Sequence, residues 1–260
     1  MDLGLKDKVI IVTGGAKGIG EAICKDLAHE GAIVVVAGRK EADNAKVVSA
    51  IEQSGGQAAG IQAELSEVAQ CRHVIDETVK KFGRIDALVN NAGVNDGVGL
   101  ENGDPEKFVQ SLQKNLLHYY ALAHYALPFL KRSKGSIVNI GSKVATTGQG
   151  NTSGYAASKG GINALTREWA VELLPYSIRV NAVIPAEVWT PLYENWIHSL
   201  PNSEEKLRSI VSKIPLENRM TTSEEIAHTT VFLLSDKSSH TTGQIVYVDG
   251  GYTHLDRSIS

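Results

Sequence analysis

Tyr155 and Lys159 stand four residues apart in a segment with helical spacing, so the two side chains share one face. A free phenol titrates near pH ~10 and is a poor base at neutral pH. A neighbouring ammonium favours the phenolate and lowers that value, so the pair can take a proton from an alcohol or return one to a ketone. Ser142 closes an apolar run and offers both a donor and an acceptor. Asn115 lies inside a helical segment, where asparagine is mildly unfavourable and commonly bonds to nearby backbone. Taken singly, these are a surface Tyr–Lys pair, a turn serine and a backbone-bonding asparagine. Their weight comes from what accompanies them.

The companion is a glycine loop, Thr13-Gly-Gly-Ala-Lys-Gly-Ile-Gly20, between an apolar β-branched run and a helical segment. Glycines at 14, 18 and 20 let the backbone turn tightly and approach a pyrophosphate, with Ile19 between the last two and the helix N-terminus facing the phosphates. The spacing is GxxxGxG rather than the general GxGxxG.

These residues need a frame. Short apolar runs at Val9–Thr13, Ile33–Ala37, Ala58–Gln62, Ala87–Asn90, Ser136–Ile140, Arg179–Ile184 and Gln244–Val248 read as strands. Helical spacing fills the gaps: Ile19–Glu30, Ala42–Gln53, Ser66–Phe82, Pro105–Lys131, Ser153–Leu174, and Ile226–Leu234 behind the capping box Thr222–Glu225. Unbroken apolar strands alternating with helices imply a parallel sheet covered on both faces. The expected class is α/β, a doubly wound, Rossmann-type sheet of seven strands in a single domain spanning 1–260. Its ligand site lies beyond the carboxyl ends of the strands.

TGxxxGxG is the signature of the short-chain dehydrogenase/reductase family, and the likeness extends along nearly the whole chain. Asn90-Asn-Ala-Gly93 matches the family's NNAG, and Asn115 its helix asparagine. Ser142 precedes Tyr155 by thirteen residues, and Tyr155-Ala-Ala-Ser-Lys159 matches YxxxK. Pro185–Thr190 resembles PGxxxT with Ala186 in place of glycine, and Asp249-Gly-Gly251 matches the terminal DGG. The resemblance implies hydride transfer between a carbinol carbon and a nicotinamide, with Asn115, Ser142, Tyr155 and Lys159 as the catalytic set. In this reading Ser142 orients the substrate oxygen, and Asn115 holds a water that passes the proton outward through Lys159. It also implies cofactor contacts from Gly14, Lys17, Gly18, Ile19, Gly20, Asn91, Ala92, Gly93, Tyr155, Lys159, Pro185, Val188 and Thr190. Gly38 occupies the position where NAD-preferring relatives carry Asp; Arg39 follows it, and Lys17 lies in the loop. Two cations near one 2′-phosphate suit NADP, with NAD the alternative. Glu64-Leu65 replaces the Asp-Val that the family often places near adenine.

Several segments resemble a narrower subgroup, the bacterial L-fucose and related aldose dehydrogenases: Asn95-Asp-Gly97, Ser142-Lys143, Gly148–Gly154, Ile184–Val188 and Asp249–Arg257. Asp96, Lys143, Gln149, Asn151 and Glu187 fall in segments expected near the substrate, beside Ser142 and Tyr155. A pocket that selects a sugar needs many hydrogen-bonding partners, whereas a steroid or acyl pocket is mostly apolar. Glu187 is expected to accept from two sugar hydroxyls, with Lys143 a second contact. Two other readings stand beside this one: a ketone or 3-oxoacyl reductase on the same scaffold, and a nucleotide-binding regulator without turnover. The segment 191–213, with Tyr193, Trp196 and His198, is the expected lid.

The remaining composition narrows the setting. The 260 residues carry 26 Lys+Arg and 29 Asp+Glu, a formal charge of −3, which argues against a dedicated nucleic-acid binder. No run approaches the ~18 apolar residues of a membrane span, and the opening residues lack the apolar core of a secretion signal. Cys24 and Cys71 are too far apart for a CxxC motif and read as reduced thiols, and the eight histidines show no ligand spacing, so no catalytic metal is expected. A cytoplasmic enzyme acting on a small molecule, without nucleic-acid or membrane partners, is the expectation. The family resemblance adds a homotetramer with two-fold axes.

Overall fold

The computed structural model describes residues 1–255; the Asp256 and Arg257 of the C-terminal motif lie outside the described residues. Strands β1 (Val9–Thr13), β2 (Ile33–Gly38), β3 (Gln57–Gln62), β4 (Ala87–Asn90), β5 (Ser136–Ile140), β6 (Arg179–Pro185) and β7 (Ile245–Val248) form one parallel sheet in the order β3-β2-β1-β4-β5-β6-β7. The order reverses between β1 and β4, and the crevice above their carboxyl ends is where ligands sit in such sheets. The glycine loop leaves β1 at this point and the Asn90–Gly93 turn leaves β4 beside it.

Side-chain alternation along the strands divides the interior into two layers. Ile10, Val12, Val34 and Val36 face one side, where Ile23 and Leu27 of α1 (Gly18–His29), Val47 and Ile51 of α2 (Glu41–Gln53) and Ile226 and Val231 of α9 (Ser223–Leu234) cover them. Val9, Ile11, Val35 and Leu88 face the other, beneath α3 (Val68–Phe82), α5 (His118–Ser133) and α6 (Ser153–Glu172). The capping box is formed: Thr222 Oγ1 accepts from the Glu225 amide at 3.2 Å and the Glu225 carboxylate from the Thr222 amide at 2.8 Å.

The single helix expected over Pro105–Lys131 is three pieces. It runs as α4 (Pro105–Leu112), capped by the Asp104 carboxylate, then a π turn at Gln113–Leu117, then α5. A π turn inserts one residue into the helical ladder, a change that leaves the apolar spacing readable. Here it holds the buried Asn115, whose amide donates to the Ser111 carbonyl at 3.0 Å and whose oxygen accepts from the Val94 amide at 2.7 Å. The long helix expected to Leu174 stops at Glu172 and gives way to a 3₁₀ turn at Leu174–Tyr176. The segment expected as a lid contains α7 (Pro191–His198) and α8 (Ser203–Val211), which contact one another.

Candidate active site

The glycine loop has the backbone its sequence requires. Gly14 and Gly18 adopt φ of +61° and +55°, in the left-handed region, and a Cβ on Gly20 would collide with the Gly14 carbonyl. Thr13 ties this loop to the next: its Oγ1 accepts from the Asn91 and Ala92 amides at 2.9 and 3.1 Å. Asn91, expected as a cofactor contact, turns its amide back onto the Thr13 and Gly14 carbonyls at 2.9 and 3.2 Å, so it braces the loop. Lys17, at the N-cap of α1, makes no side-chain cap, and the first-turn amides of a helix have no partner within the helix itself. A loop with no room for side chains, backed by unsatisfied amides, fits the pyrophosphate of a dinucleotide.

At the far end of the crevice the two expected cations lie on the surface with acidic neighbours. Lys17 Nζ is 2.9 Å from Asp43, and Arg39 is 4.0 Å from Glu64. Glu64 also accepts from the Ser66 hydroxyl at 2.9 Å, while Leu65 is buried. Asn44, which the sequence did not single out, fixes this corner by donating to the Gly38 and Ile61 carbonyls at 3.0 and 3.1 Å. Pro185 and Val188 are buried at the end of β6; Thr190 caps α7 by accepting from the Tyr193 amide at 3.2 Å, and its methyl lies beside Gly18. Ile19 packs against the core layer beneath the loop.

The residues expected to transfer the proton converge where β5 ends. Helix α6 approaches the α4 segment closely: a Cβ on Gly154 would meet Ser111 Cβ at 2.6 Å. Asn115 and Lys159 meet at Gly93, where an added Cβ would lie 3.1 Å from Asn115 Oδ1 and 3.7 Å from Lys159 Nζ. Ser142, in the turn after β5, hydrogen-bonds the Tyr155 phenol. Lys159 Nζ lies 5.5 Å from the Tyr155 ring and donates to the Ile140 carbonyl at 2.9 Å. The expected balance of charge needs correction. Burial, not the lysine, dominates Tyr155 and pushes its phenol up to about 12, with the Ser142 hydrogen bond pulling the other way. Burial also drives Lys159 down to about 7. Burial thus disfavours the charged form of both groups.

The expected substrate residues divide into three groups. Lys143 and Glu187 meet as an ion pair, with side chains only 10% and 15% exposed, and Lys143 Nζ sits 4.0 Å above the Tyr252 ring. Glu187 also accepts from Tyr193 of α7, whose phenol burial and the carboxylate charge push up. Lys143 thus neutralises the Glu187 carboxylate within the protein. Asp96 accepts from Ser111 Oγ at 2.8 Å, with Lys114 at 3.9 Å. Gln149 and Asn151 are exposed in the 148–151 loop, where Asn151 adopts φ +54°. Tyr193 packs edge-on against Trp196 at 5.1 Å and lies 6.3 Å from Trp189, so the aromatics of this segment form one cluster. Cys24 and Cys71 are buried free thiols. Among the described residues no three His, Cys, Asp or Glu side chains are grouped as metal ligands, and no helix is long and apolar enough to cross a membrane.

Sequence and structure comparisons address the same frame. The family model described as enoyl-(acyl carrier protein) reductase matches residues 14–253. The 3-oxoacyl-[acyl-carrier-protein] reductase FabG of Thermotoga maritima is 36% identical over 248 residues, covering 95% of this chain and 98% of that protein. The L-fucose dehydrogenase of Bos taurus is also 36% identical, over 245 residues, covering 94% of this chain and 88% of that protein. The crystal structure of Cj0485 dehydrogenase superposes with a TM-score of 0.94 at 45% identity, over 99% of this chain and 98% of that one. The chain thus belongs to the short-chain dehydrogenase/reductase family, as an oxidoreductase of alcohol and ketone groups that works with a nicotinamide cofactor.

Proposed function

We propose that the chain oxidises the anomeric hydroxyl of L-fucose or a closely related aldopyranose to the lactone, with NADP preferred over NAD. The observation that carries the substrate class is the Lys143–Glu187 pair, held with Tyr193 at the carboxyl ends of β5 and β6. An apolar acyl or steroid ligand would have to desolvate that pair without replacing its hydration. A polyhydroxylated ring offers donors to the carboxylate and acceptors to the ammonium. A relative named L-fucose dehydrogenase is in keeping with this reading.

In this mechanism Ser142 donates to the substrate oxygen and sets the carbinol carbon, while Tyr155 takes the hydroxyl proton. Lys159 stabilises the phenolate during that transfer, and Asn115 in its π turn carries the proton route outward. The glycine loop, Ala92, Gly93, Val188 and Thr190 hold the cofactor, which supplies the acceptor for the hydride. Lys17 and Arg39 exchange their carboxylate neighbours for the 2′-phosphate. Asp96, Gln149 and Asn151 form the outer polar rim, and 191–213 folds over the site as a lid. The enzyme acts in the cytoplasm as a single-domain subunit of a two-fold-symmetric homotetramer. Exposed apolar side chains support that assembly: Val109 on α4, Leu117 in the π turn, Tyr120 on α5, Val171 on α6 and Leu174 in the 3₁₀ turn after it.

The second reading is reduction of a ketone or 3-oxoacyl group, favoured by the equal identity to a 3-oxoacyl reductase. Glu187→Gln separates the two. It removes the charge that sugar hydroxyls would meet, so it is expected to raise KM for aldoses roughly tenfold, the scale of one charge-assisted hydrogen bond, with little change for a small cyclic alcohol. An equal change for both classes would count against the sugar assignment.

A further inference from the structure

Tyr119 is the one fully buried tyrosine in the neighbourhood, and the catalytic set does not account for it. It is the second residue of α5, four positions after Asn115 and two beyond the end of the π turn. Its hydroxyl donates to the Ile140 carbonyl at 3.0 Å and accepts from Lys159 Nζ at 3.4 Å, while Lys159 also donates to that carbonyl at 2.9 Å. Ile140 O, Tyr119 Oη and Lys159 Nζ therefore form a closed triangle at the carboxyl end of β5.

The hydroxyl is not required for packing, since phenylalanine would fill the same space and leave no buried polar atom to satisfy. Nor does the Ile140 carbonyl depend on it, because Lys159 already donates there. What the oxygen adds is an acceptor for an ammonium that has few others. The titratable groups around Lys159 are Tyr155 on its own helix and Tyr119 and His118 from α5. Lys143 in the turn after β5 is paired with Glu187, and Lys114 in the π turn lies beside Asp96. Among the described residues no carboxylate lies within ion-pair distance of Lys159. An uncharged oxygen thus stands where a counter-charge would otherwise be needed.

We propose that Tyr119 is a positioning residue for Lys159, its phenol oxygen fixing Nζ beside Tyr155 and favouring the ammonium over the amine. The proposal rests on the reading of Tyr155 and Lys159 as the proton-transfer pair. Burial pulls Lys159 toward neutrality at about 7, and an acceptor in a low-dielectric site offsets part of that pull. Removing the acceptor must move the titration to lower pH.

The test uses Tyr119→Phe and, as a second variant lacking the oxygen, Tyr119→Leu. In the cofactor-free protein, carbon-13 NMR of Lys159 Cε is expected to show a midpoint about one pH unit below that of the parent. The alkaline limb of kcat should move in the same direction, with KM for the cofactor nearly unchanged. In a Lys159→Met background, Tyr119→Phe should cause no further loss of turnover, because Tyr119 acts through the lysine. An unchanged Lys159 midpoint in folded Tyr119→Phe, or an equal loss of turnover in both backgrounds, overturns the inference and leaves the proton-transfer reading standing. Parental turnover in Lys159→Met overturns that reading and the inference together.

Discussion

At the scale of single residues, the site is organised by burial acting against charge. Tyr155 is pushed up to about 12 and Lys159 down to about 7, so neither is charged without cost in the ligand-free protein. Removing the phenol oxygen removes the acceptor of the proton, and Tyr155→Phe is expected to lose ~10²-fold or more in kcat, the usual worth of a general base. Its dinucleotide affinity, measured by fluorescence titration, should stay near the parent's, and near-parental turnover would defeat the mechanism. Arg39→Asp replaces an attraction for a 2′-phosphate with a repulsion. The ratio of kcat/KM for NADP to that for NAD should fall at least tenfold, about 1.4 kcal/mol, and an unchanged ratio would remove Arg39 as selector. Much of this site was legible because each residue closes a strand or shares a helix face. The bracing role of Asn91 left no local signal, because its side chain serves the neighbouring loop. The Lys143–Glu187 pair joins positions 44 apart, which no local pattern connects. Tyr119 did leave a signal, since it lies four positions from Asn115 on a helical segment.

At the scale of elements, the π turn is the feature that sets the chemistry in register. It swings Asn115 inward to Val94 while α5 continues with His118 and Tyr119 buried. His118 is held down to about 4 by burial. Above pH ~6.5 both folded and unfolded states carry it neutral, and its contribution to stability is fully present. As pH falls from there toward 4, the unfolded chain takes up a proton that the folded chain refuses, and stability declines by up to ~1.4 kcal/mol per pH unit. His118→Gln should therefore lose less stability than the parent between pH 7 and pH 5, read from urea unfolding; parallel losses would contradict the assignment. The strands were readable almost to the residue because buried parallel strands are continuous apolar runs. The break at Gln113–Leu117 was not, because one inserted residue shifts the helical phase too little to disturb the pattern.

At the scale of the whole molecule, the proposed function sets the cofactor at the sheet reversal between β1 and β4 and the substrate at the ends of β5 and β6. The exposed apolar residues on α4, α5 and α6 predict burial against symmetry mates. Light scattering at working concentration should give four chain masses, and a monomer would contradict the assembly. Fold and family were legible from motif order alone, since seven matches fall on the elements that must carry them. Substrate class is a different matter: relatives with different named substrates stand at equal identity, and the choice rests on a few polar side chains. The direct measurement is steady-state kcat/KM of the purified enzyme for L-fucose, D-arabinose, D-glucose and a simple cyclic alcohol with NADP and NAD, alongside reduction of a 3-oxoacyl thioester. The account predicts efficient oxidation of L-fucose or a close aldose to the lactone, with the cyclic alcohol at least ~100-fold poorer, as expected when buried polar groups lose their partners. Efficient reduction of the thioester with no aldose oxidised would contradict it.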